Sequence, residues 1–450
     1  MRQLINLVEY QTYTLPTDSA INVVSLSAYL NGVWHTRTQF DENPDVKQSS
    51  EQQFLTIGYD PKLGQPTLKA GKYVGFIQFE DTTIQIIPKL FKPEQSDKAF
   101  RHLLWWLSYC KRVRFPFTDL LSDTQSIDEF PEALIHYFAQ FTHQLVGSAP
   151  YHQYEEVTDT IPYMRGRLNT QQYINTSVSR GNWHQLVCDY EPFVFNNRLN
   201  QIIKYVARSL SQVCRFTDTH RALEKLIFIL DEVDDVPAIA RDCDTLHLNR
   251  YFADYEVCVD MCRFFLSDSY LSQPETHHRH FCFLLPMDYV FEDFILGVSE
   301  TYLGHKVSVS PQKTEWLTQE KIFQVKSDLV LTYPDKTRLV ADTKYKVRGS
   351  TLPDKKAGIS QSDLYQMVSY GLRQETRDVL LLYPLSYGQE QTGGETFHVN
   401  SVLLNNIPIC IRAVDLPITG ELTSDIQSRQ LLVSKLVSQL LQAFNLKLLE

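Results

Sequence analysis

The sequence predicts a multidomain protein of mixed α and β structure: a β-rich N-terminal domain, a helical middle and a C-terminal α/β domain. Three observations carry that prediction. Residues 1–92 hold β-branched runs with a period near two, and from residue 94 the apolar spacing becomes helical. Beyond the polar stretch Ser267–Arg279, strand-like and helix-like segments alternate again. The expected divisions are 1–92, 93–283 and 284–450, with Ser267–Arg279 as the linker. With 450 residues, 25 Phe and 24 Tyr, the chain is long and aromatic enough to bury two or three cores.

Bulk properties remove several function classes. A formal charge of −10 excludes a protein that coats nucleic acid by electrostatics alone, because duplex binders carry a basic excess. The eight cysteines lack the short regular spacings of a disulfide framework. No basic-then-apolar leader opens the chain and no run approaches ~18 apolar residues, so a cytoplasmic location without membrane contact is expected. The pattern G-x-x-x-x-G-K-[ST] is absent, and Gly71-Lys72 lacks the upstream glycine. Hence no nucleotide is expected to bind this chain alone.

In chain order, Tyr73–Phe79 alternates, Glu80-Asp81 turns and Thr83–Ile87 returns before Pro88 stops the strand. Helices are expected over Ser96–Arg112 and Glu129–Val146. Residues 151–175 read as extended, with Arg165-Gly166-Arg167 near a bend. Helices follow over Asn196–Cys214, His220–Leu230 and Asn249–Leu266. In the C-terminal domain Met287–Leu303 reads as a helix with Phe291, Phe294, Ile295 and Val298 inward and Glu292 at the edge of that face. The closing helix carries a stripe of Val433, Leu436, Val437, Leu440, Leu441, Phe444 and Leu448.

The chemistry concentrates in Asp328–Lys346. Residues 325–333 suit a strand, Pro334-Asp335-Lys336 is a turn, and 337–344 resumes the strand. A turn centred on Asp335 sets Asp328 directly across from Asp342, with Cβ atoms only ~5 Å apart on one face. Two carboxylates that close repel unless a cation lies between them. Lys344, two residues beyond Asp342, projects from the same face. Pro334-Asp335 supplies a literal Pro-Asp ahead of Asp342-Thr343-Lys344, but it sits at the turn, where its carboxylate points to solvent. Asp328 is therefore the expected first acid.

Flanking segments fit the same site. Ser360 and Asp363 form a capping-box pattern opening a helix in which Asp363, Gln366 and Tyr370 share one polar stripe while Leu364, Met367 and Val368 face the core. Between hairpin and helix, Lys344–Lys356 is strongly basic, and Lys346, Arg348, Lys355 and Lys356 are candidates to hold DNA phosphates. Asp328, Asp342 and the Thr343 carbonyl are hard oxygen ligands suited to Mg²⁺ or Mn²⁺, with Glu292 available to complete the shell. Lys344 is placed to orient a water or stabilise developing charge, and Gln366 and Tyr370 to position substrate or water. Together these residues predict a metal-dependent phosphodiesterase. His277, His278, His280 and Cys282 match no closed zinc pattern. Cys258 and Cys262 share a helix face and read as core thiols.

The order of acid-bearing helix, D…D-x-K hairpin and Q-x-x-x-Y helix resembles PD-(D/E)xK nucleases of the RecB-like type. More specifically, the chain is similar to McrC, the nuclease subunit family of McrBC modification-dependent restriction systems. The likeness rests on Tyr73-Val74-Gly75-Phe76-Ile77, Ile86-Ile87-Pro88-Lys89, Arg165-Gly166-Arg167, Asp189-Tyr190-Glu191, Asn196-Asn197-Arg198-Leu199-Asn200, Phe291-Glu292-Asp293-Phe294, Ser327-Asp328, Asp342–Lys346 and Asp363-Leu364-Tyr365-Gln366. It implies an McrB-like AAA+ GTPase partner that forms a ring and reads methylcytosine-containing DNA. It also implies that this chain docks through its N-terminal half, stimulates nucleotide hydrolysis and cuts double-stranded DNA. Ser327 stands where a proline often precedes the first acid, and the chain is longer than a minimal member. Two other readings stay open at this point: a stand-alone nuclease of repair, and a non-catalytic activator of an AAA+ ring.

Overall fold

Two sheets, one built around the expected hairpin and one around Tyr73–Ile87, organise most of the protein. The computed structural model describes residues 3–16, 19, 21–36, 52–123, 130–267, 281–316, 320, 324–348, 356, 358–389, 395–400, 408–423 and 425–446. By their contacts the chain divides into two compact units, residues 1–133 with 268–450, and residues 134–267.

The first unit opens with β1 (Gln3–Val8), β2 (Thr12–Thr14), α1 (Val23–Thr36), β3 (Leu55–Asp60), β4 (Gln65–Ala70), β5 (Tyr73–Phe79) and β6 (Thr82–Ile87). The hairpin β5–β6 forms as expected, with Glu80 in the left-handed region at the turn. β1 joins β6 in parallel, Val8 opposite Ile87. Strands β2, β4 and β3 make a separate three-stranded sheet. Then come α2 (Ser96–Leu107), α3 (Phe117–Asp123) and the start of α4 (Phe130–Ser148), most of which belongs to the second unit. α2 is expected as a helix from its spacing, and it is covered nearly all round, with His102 through Leu107 buried in succession.

The second unit contains β7 (Gln153–Tyr154), β8 (Val157–Ile161), β9 (Arg167–Leu168), β10 (Leu186–Tyr190), β11 (Phe193–Val194), α5 (Arg198–Val213), α6 (Thr217–Ile229), α7 (Ala240–Asp244) and α8 (Asp254–Ser267). The middle region is thus less purely helical than expected, since β8, β10 and β9 form a small antiparallel sheet and β7 pairs β11. Its helices match the apolar spacing, and Asn197 caps α5 by accepting from the Asn200 N–H.

The C-terminal elements are β12 (Phe281–Pro286), α9 (Met287–Leu303), β13 (Ser308–Trp316), β14 (Gln324–Thr332), β15 (Arg338–Thr343), α10 (Gln361–Arg373), β16 (Asp378–Pro384), β17 (Glu395–Asn400), β18 (Pro408–Leu416) and α11 (Ile426–Ala443). Six strands form one sheet in the order β13-β14-β15-β16-β18-β17. Its centre, β15-β16-β18, is parallel and its flanks are antiparallel. α10 makes the crossover from β15 to β16 and packs Met367 and Tyr370 on Val340, Val379, Leu381 and Ile411. Residues alternating with these, Leu339, Ala341, Leu380 and Leu382, are also buried, so the sheet is covered on both faces. α9 and α11 pack on each other and on strands of this sheet, and α9 buries Phe291, Phe294, Ile295 and Val298 as expected.

The segments 1–92 and 284–450, read separately from sequence, belong to one unit for a specific reason. β12 adds to the N-terminal sheet beside β5, Phe283 opposite Phe76, giving the order β1-β6-β5-β12. Gly75 makes that pairing possible. It has φ +141°, and a Cβ there would lie 1.9 Å from the Phe283 carbonyl oxygen. Gly75→Ala is therefore expected to destabilise the protein by about 3 kcal/mol, read as a lowered denaturation midpoint. A midpoint equal to that of the parent would show that the β5–β12 approach is not as tight as described.

Candidate active site

Strands β14 and β15 pair Leu331 with Leu339, Val330 with Val340 and Leu329 with Ala341. Continued one step, that register sets Asp328 opposite Asp342, as the hairpin arithmetic predicts. The turn is closed by Lys336 in the left-handed region, while Asp335 accepts from the Thr337 N–H and hydroxyl at 2.9 and 2.6 Å. Asp335 is exposed and occupied with its own turn, as expected of a turn residue.

The expected catalytic residues fall into two bonded sets, Asp328 with Thr343 and Asp342 with Lys344, Gln366 and Tyr370. Asp328 Oδ2 accepts from the Thr343 N–H at 2.7 Å and the Thr343 hydroxyl at 2.6 Å. Lys344 Nζ lies 2.7 Å from Asp342 Oδ2 and donates to Gln366 Oε1 at 2.8 Å. Gln366 Nε2 in turn donates to the Tyr370 hydroxyl, which donates to the Lys326 carbonyl. Gln366 and Tyr370 reach the hairpin because they lie one turn apart on α10, whose start is fixed by Ser360 accepting from the Asp363 N–H.

Electrostatics set this hairpin apart from an ordinary surface turn. Asp342 is 1 % exposed, and burial together with the facing Asp328 carboxylate pushes its carboxyl up to about 7, against the pull of Lys344. Burial also raises Asp328, opposed by its hydrogen bonds from Thr343. Burial works against the Lys344 ammonium, but Asp342 and Asp328 outweigh it and hold the lysine charged. Asp342 Oδ2 is buried, and although it is at ion-pair distance from Lys344 it receives no well-aligned hydrogen bond. Two facing carboxylates, one with an under-satisfied oxygen, suit a hard divalent cation. Mg²⁺ needs only one or two protein carboxylates, with water or substrate completing its shell.

Other expected site residues are placed differently. Glu292 is buried on α9 with Oε1 3.2 Å from the Arg112 guanidinium. Among the described residues no group of three His, Cys, Asp or Glu side chains converges as a metal cage, so Glu292 does not join Asp328 and Asp342. Lys346 pairs with Asp363 at 2.8 Å yet remains half-exposed. Arg348 differs most from the solvated basic loop expected. Its guanidinium is buried in an ion pair with Asp415 on β18, 5.0 Å from the Tyr383 ring centroid, and is not free to hold a phosphate. Lys356 is exposed. Lys355 lies outside the described residues, as do His277, His278 and His280. Cys282 is buried in β12, and Cys258 and Cys262 are buried free thiols. No described helix is long and apolar enough to cross a membrane.

Sequence reasoning gave no role to Glu9 or to the Tyr345 hydroxyl, which meet at 3.0 Å beside the site. The signal available was weak: an acid just past the first strand, and Pro88-Lys89 ending β6.

The raised Asp342 carboxyl makes stability depend on pH. Folding favours its protonated form, so this contribution is full below the ordinary carboxylate value of 3.8 and is lost as pH rises through about 7. In metal-free buffer, Asp342→Asn is expected to raise the melting temperature at pH 8 by about 2–4 °C, a gain that shrinks at pH 5. A variant that melts lower than the parent at pH 8 would contradict the described electrostatics.

Comparison with known proteins places the chain in a family. A family model described as McrBC 5-methylcytosine restriction system component matches residues 68–384. One solved structure aligns with TM-score 0.71 at 17% identity over 97% of this chain and 100% of the other; it comes from a half-complex of a tetradecameric assembly of Thermococcus gammatolerans McrB AAA+ hexamers with bound McrC. A second, from the Thermococcus gammatolerans McrBC complex, aligns with TM-score 0.51 at 17% identity, covering 66% of this chain and 87% of the other. No curated protein matches. The matched family model spans most of the chain, including both halves of the hairpin network, and the chain belongs to the McrBC 5-methylcytosine restriction system component family.

Proposed function

We propose that this chain is the Mg²⁺-dependent DNA endonuclease subunit of an McrBC-like restriction system, with a PD-(D/E)xK-type catalytic domain. The observation that carries the reading is Asp328 facing the buried Asp342 across β14–β15 with Lys344 at ion-pair distance, in a chain of this family. The partner is an McrB-like AAA+ GTPase ring, on which the N-terminal domain and the middle region dock and whose nucleotide hydrolysis they stimulate. Support comes from the similar fold of McrC, which is bound to McrB AAA+ hexamers in its own structure. The substrate is double-stranded DNA carrying methylcytosine.

Each side chain has a definable task. Asp328, Asp342 and the Thr343 carbonyl would hold Mg²⁺, or Mn²⁺ in its place. When bound, the ion lowers the pKa of a water and polarises the scissile phosphate. Thr343 fixes the rotamer of Asp328 through its N–H and hydroxyl. Lys344 sets a positive charge where negative charge grows on the phosphate, and its contact with Gln366 aims it. Tyr370, locked to the Lys326 carbonyl and to Gln366, stops Gln366 from turning away. Lys346 and Lys356 contact DNA phosphates, Lys346 by exchanging Asp363 for a phosphate oxygen. Arg348 instead pins the strand end to β18.

Cleavage of methylated and unmethylated plasmid, with and without the AAA+ partner, GTP and Mg²⁺, tests the proposal. Cutting is expected only of methylated DNA in the complete mixture, with at least a ~100-fold loss in Asp342→Ala. Cutting by the chain alone would reassign it as a stand-alone nuclease. Stimulated GTP hydrolysis with no cutting under any condition would make it an activator.

A further inference from the structure

The segment leaving β15, Lys344–Arg348, is tied down residue by residue. The Lys344 N–H donates to the Leu382 carbonyl at 2.8 Å, and the Lys346 N–H donates back to the Lys344 carbonyl at 2.7 Å. That closes a tight turn centred on Tyr345, so the pose of Tyr345 sets the direction in which Lys344 leaves the backbone.

Tyr345 is held from the N-terminal sheet. Tyr345 is 4 % exposed, and its hydroxyl donates to Glu9 Oε2 at 3.0 Å. Lys89 Nζ donates to the Tyr345 carbonyl at 2.6 Å and lies 4.2 Å from the centroid of its ring. Glu9 Oε2 also accepts the Lys89 N–H at 2.9 Å. Glu9 and Lys89 emerge side by side because β1 and β6 run parallel with Val8 opposite Ile87. The backbone and the phenol of one residue are thus gripped by two side chains more than ~250 positions away in sequence, each grip being a directed polar bond.

Packing alone does not call for this arrangement. Burying charged groups is costly, and apolar residues of similar volume often serve as well or better. Glu9 Oε1 is buried with no hydrogen-bond partner, and burial pushes the Glu9 carboxyl up to about 8 despite Lys89. Burial also lowers the Lys89 ammonium. What the cluster supplies is direction at the residue between Lys344, which meets Asp342, and Lys346, which meets Asp363.

We infer that Glu9 and Lys89 are positioning residues for DNA cleavage, acting through Tyr345 to hold the Lys344 ammonium against Asp342; the inference rests on the nuclease reading above. None of the three touches the reacting atoms.

The test uses the full chain with its AAA+ partner, GTP, Mg²⁺ and methylated DNA, and compares Tyr345→Phe, Lys89→Met and Lys89→Arg with the parent. Tyr345→Phe and Lys89→Met are expected to lower kcat about 10–100-fold, with KM for DNA and the stimulated GTP hydrolysis close to the parent's. Lys89→Arg, which keeps a cation and donor within reach of the carbonyl, should restore most of the rate. Unchanged cleavage in both Tyr345→Phe and Lys89→Met overturns the inference and leaves the nuclease reading intact. So does a loss matched by falling GTP hydrolysis and melting temperature that Lys89→Arg does not repair, since that is a packing role. A parent complex that never cuts overturns the nuclease reading and this inference with it.

Discussion

The register of a single hairpin places two like charges where an ordinary fold would not keep them. Asp328 and Asp342 face each other at the buried end of β14–β15, and neither can leave, because the strands are locked on both sides by Leu329–Ala341 and by the parallel pairing of β15 with β16. Nearby residues then read as answers to that repulsion. Thr343 donates twice to one carboxylate, Lys344 approaches the other, and α10 delivers Gln366 and Tyr370 to orient Lys344. Without bound cation the pair is a local cost, as expected of a site in which stability is given up for chemistry.

A site with such a built-in cost needs a rigid frame. The six-stranded sheet is covered on both faces, and the strand end beyond Thr343 is fastened by side chains from three directions. Asp363 of α10 takes Lys346, Asp415 of β18 takes Arg348, and Glu9 with Lys89 takes Tyr345. The last of these ties the N-terminal sheet to the hairpin, and β12 ties it again by pairing with β5 just before α9 begins. The N-terminal residues are therefore part of the same structural unit as the site.

What could be read from the sequence was local. The hairpin register followed from turn chemistry and alternation, because residues close in sequence determine it. The α10 stripe followed from its cap and helical spacing, and α9 and α11 from their apolar faces. What could not be read depended on partners far along the chain. Nothing near residue 281 says that it will pair with residue 78. Nothing in the basic run Lys344–Lys356 says that Arg348 will turn inward to Asp415 while Lys356 stays out, since the two differ only in what the fold brings beside them. Glu292, at the edge of the inward face of α9 and expected to complete a metal shell, is instead paired with Arg112. The extended stretch 151–175 takes in β7, β8 and β9, but β10 and β11 escape because two to five residues carry too little periodicity to separate from loop.

Mn²⁺ binding to the full chain, followed by electron paramagnetic resonance, tests most directly whether the hairpin is a metal site. The account predicts one bound ion per chain, lost in Asp328→Asn and weakened as pH falls below the Asp342 carboxyl value of about 7, where proton and metal compete. Binding that is equally tight in Asp328→Asn, or no binding at any pH in the parent, would contradict it.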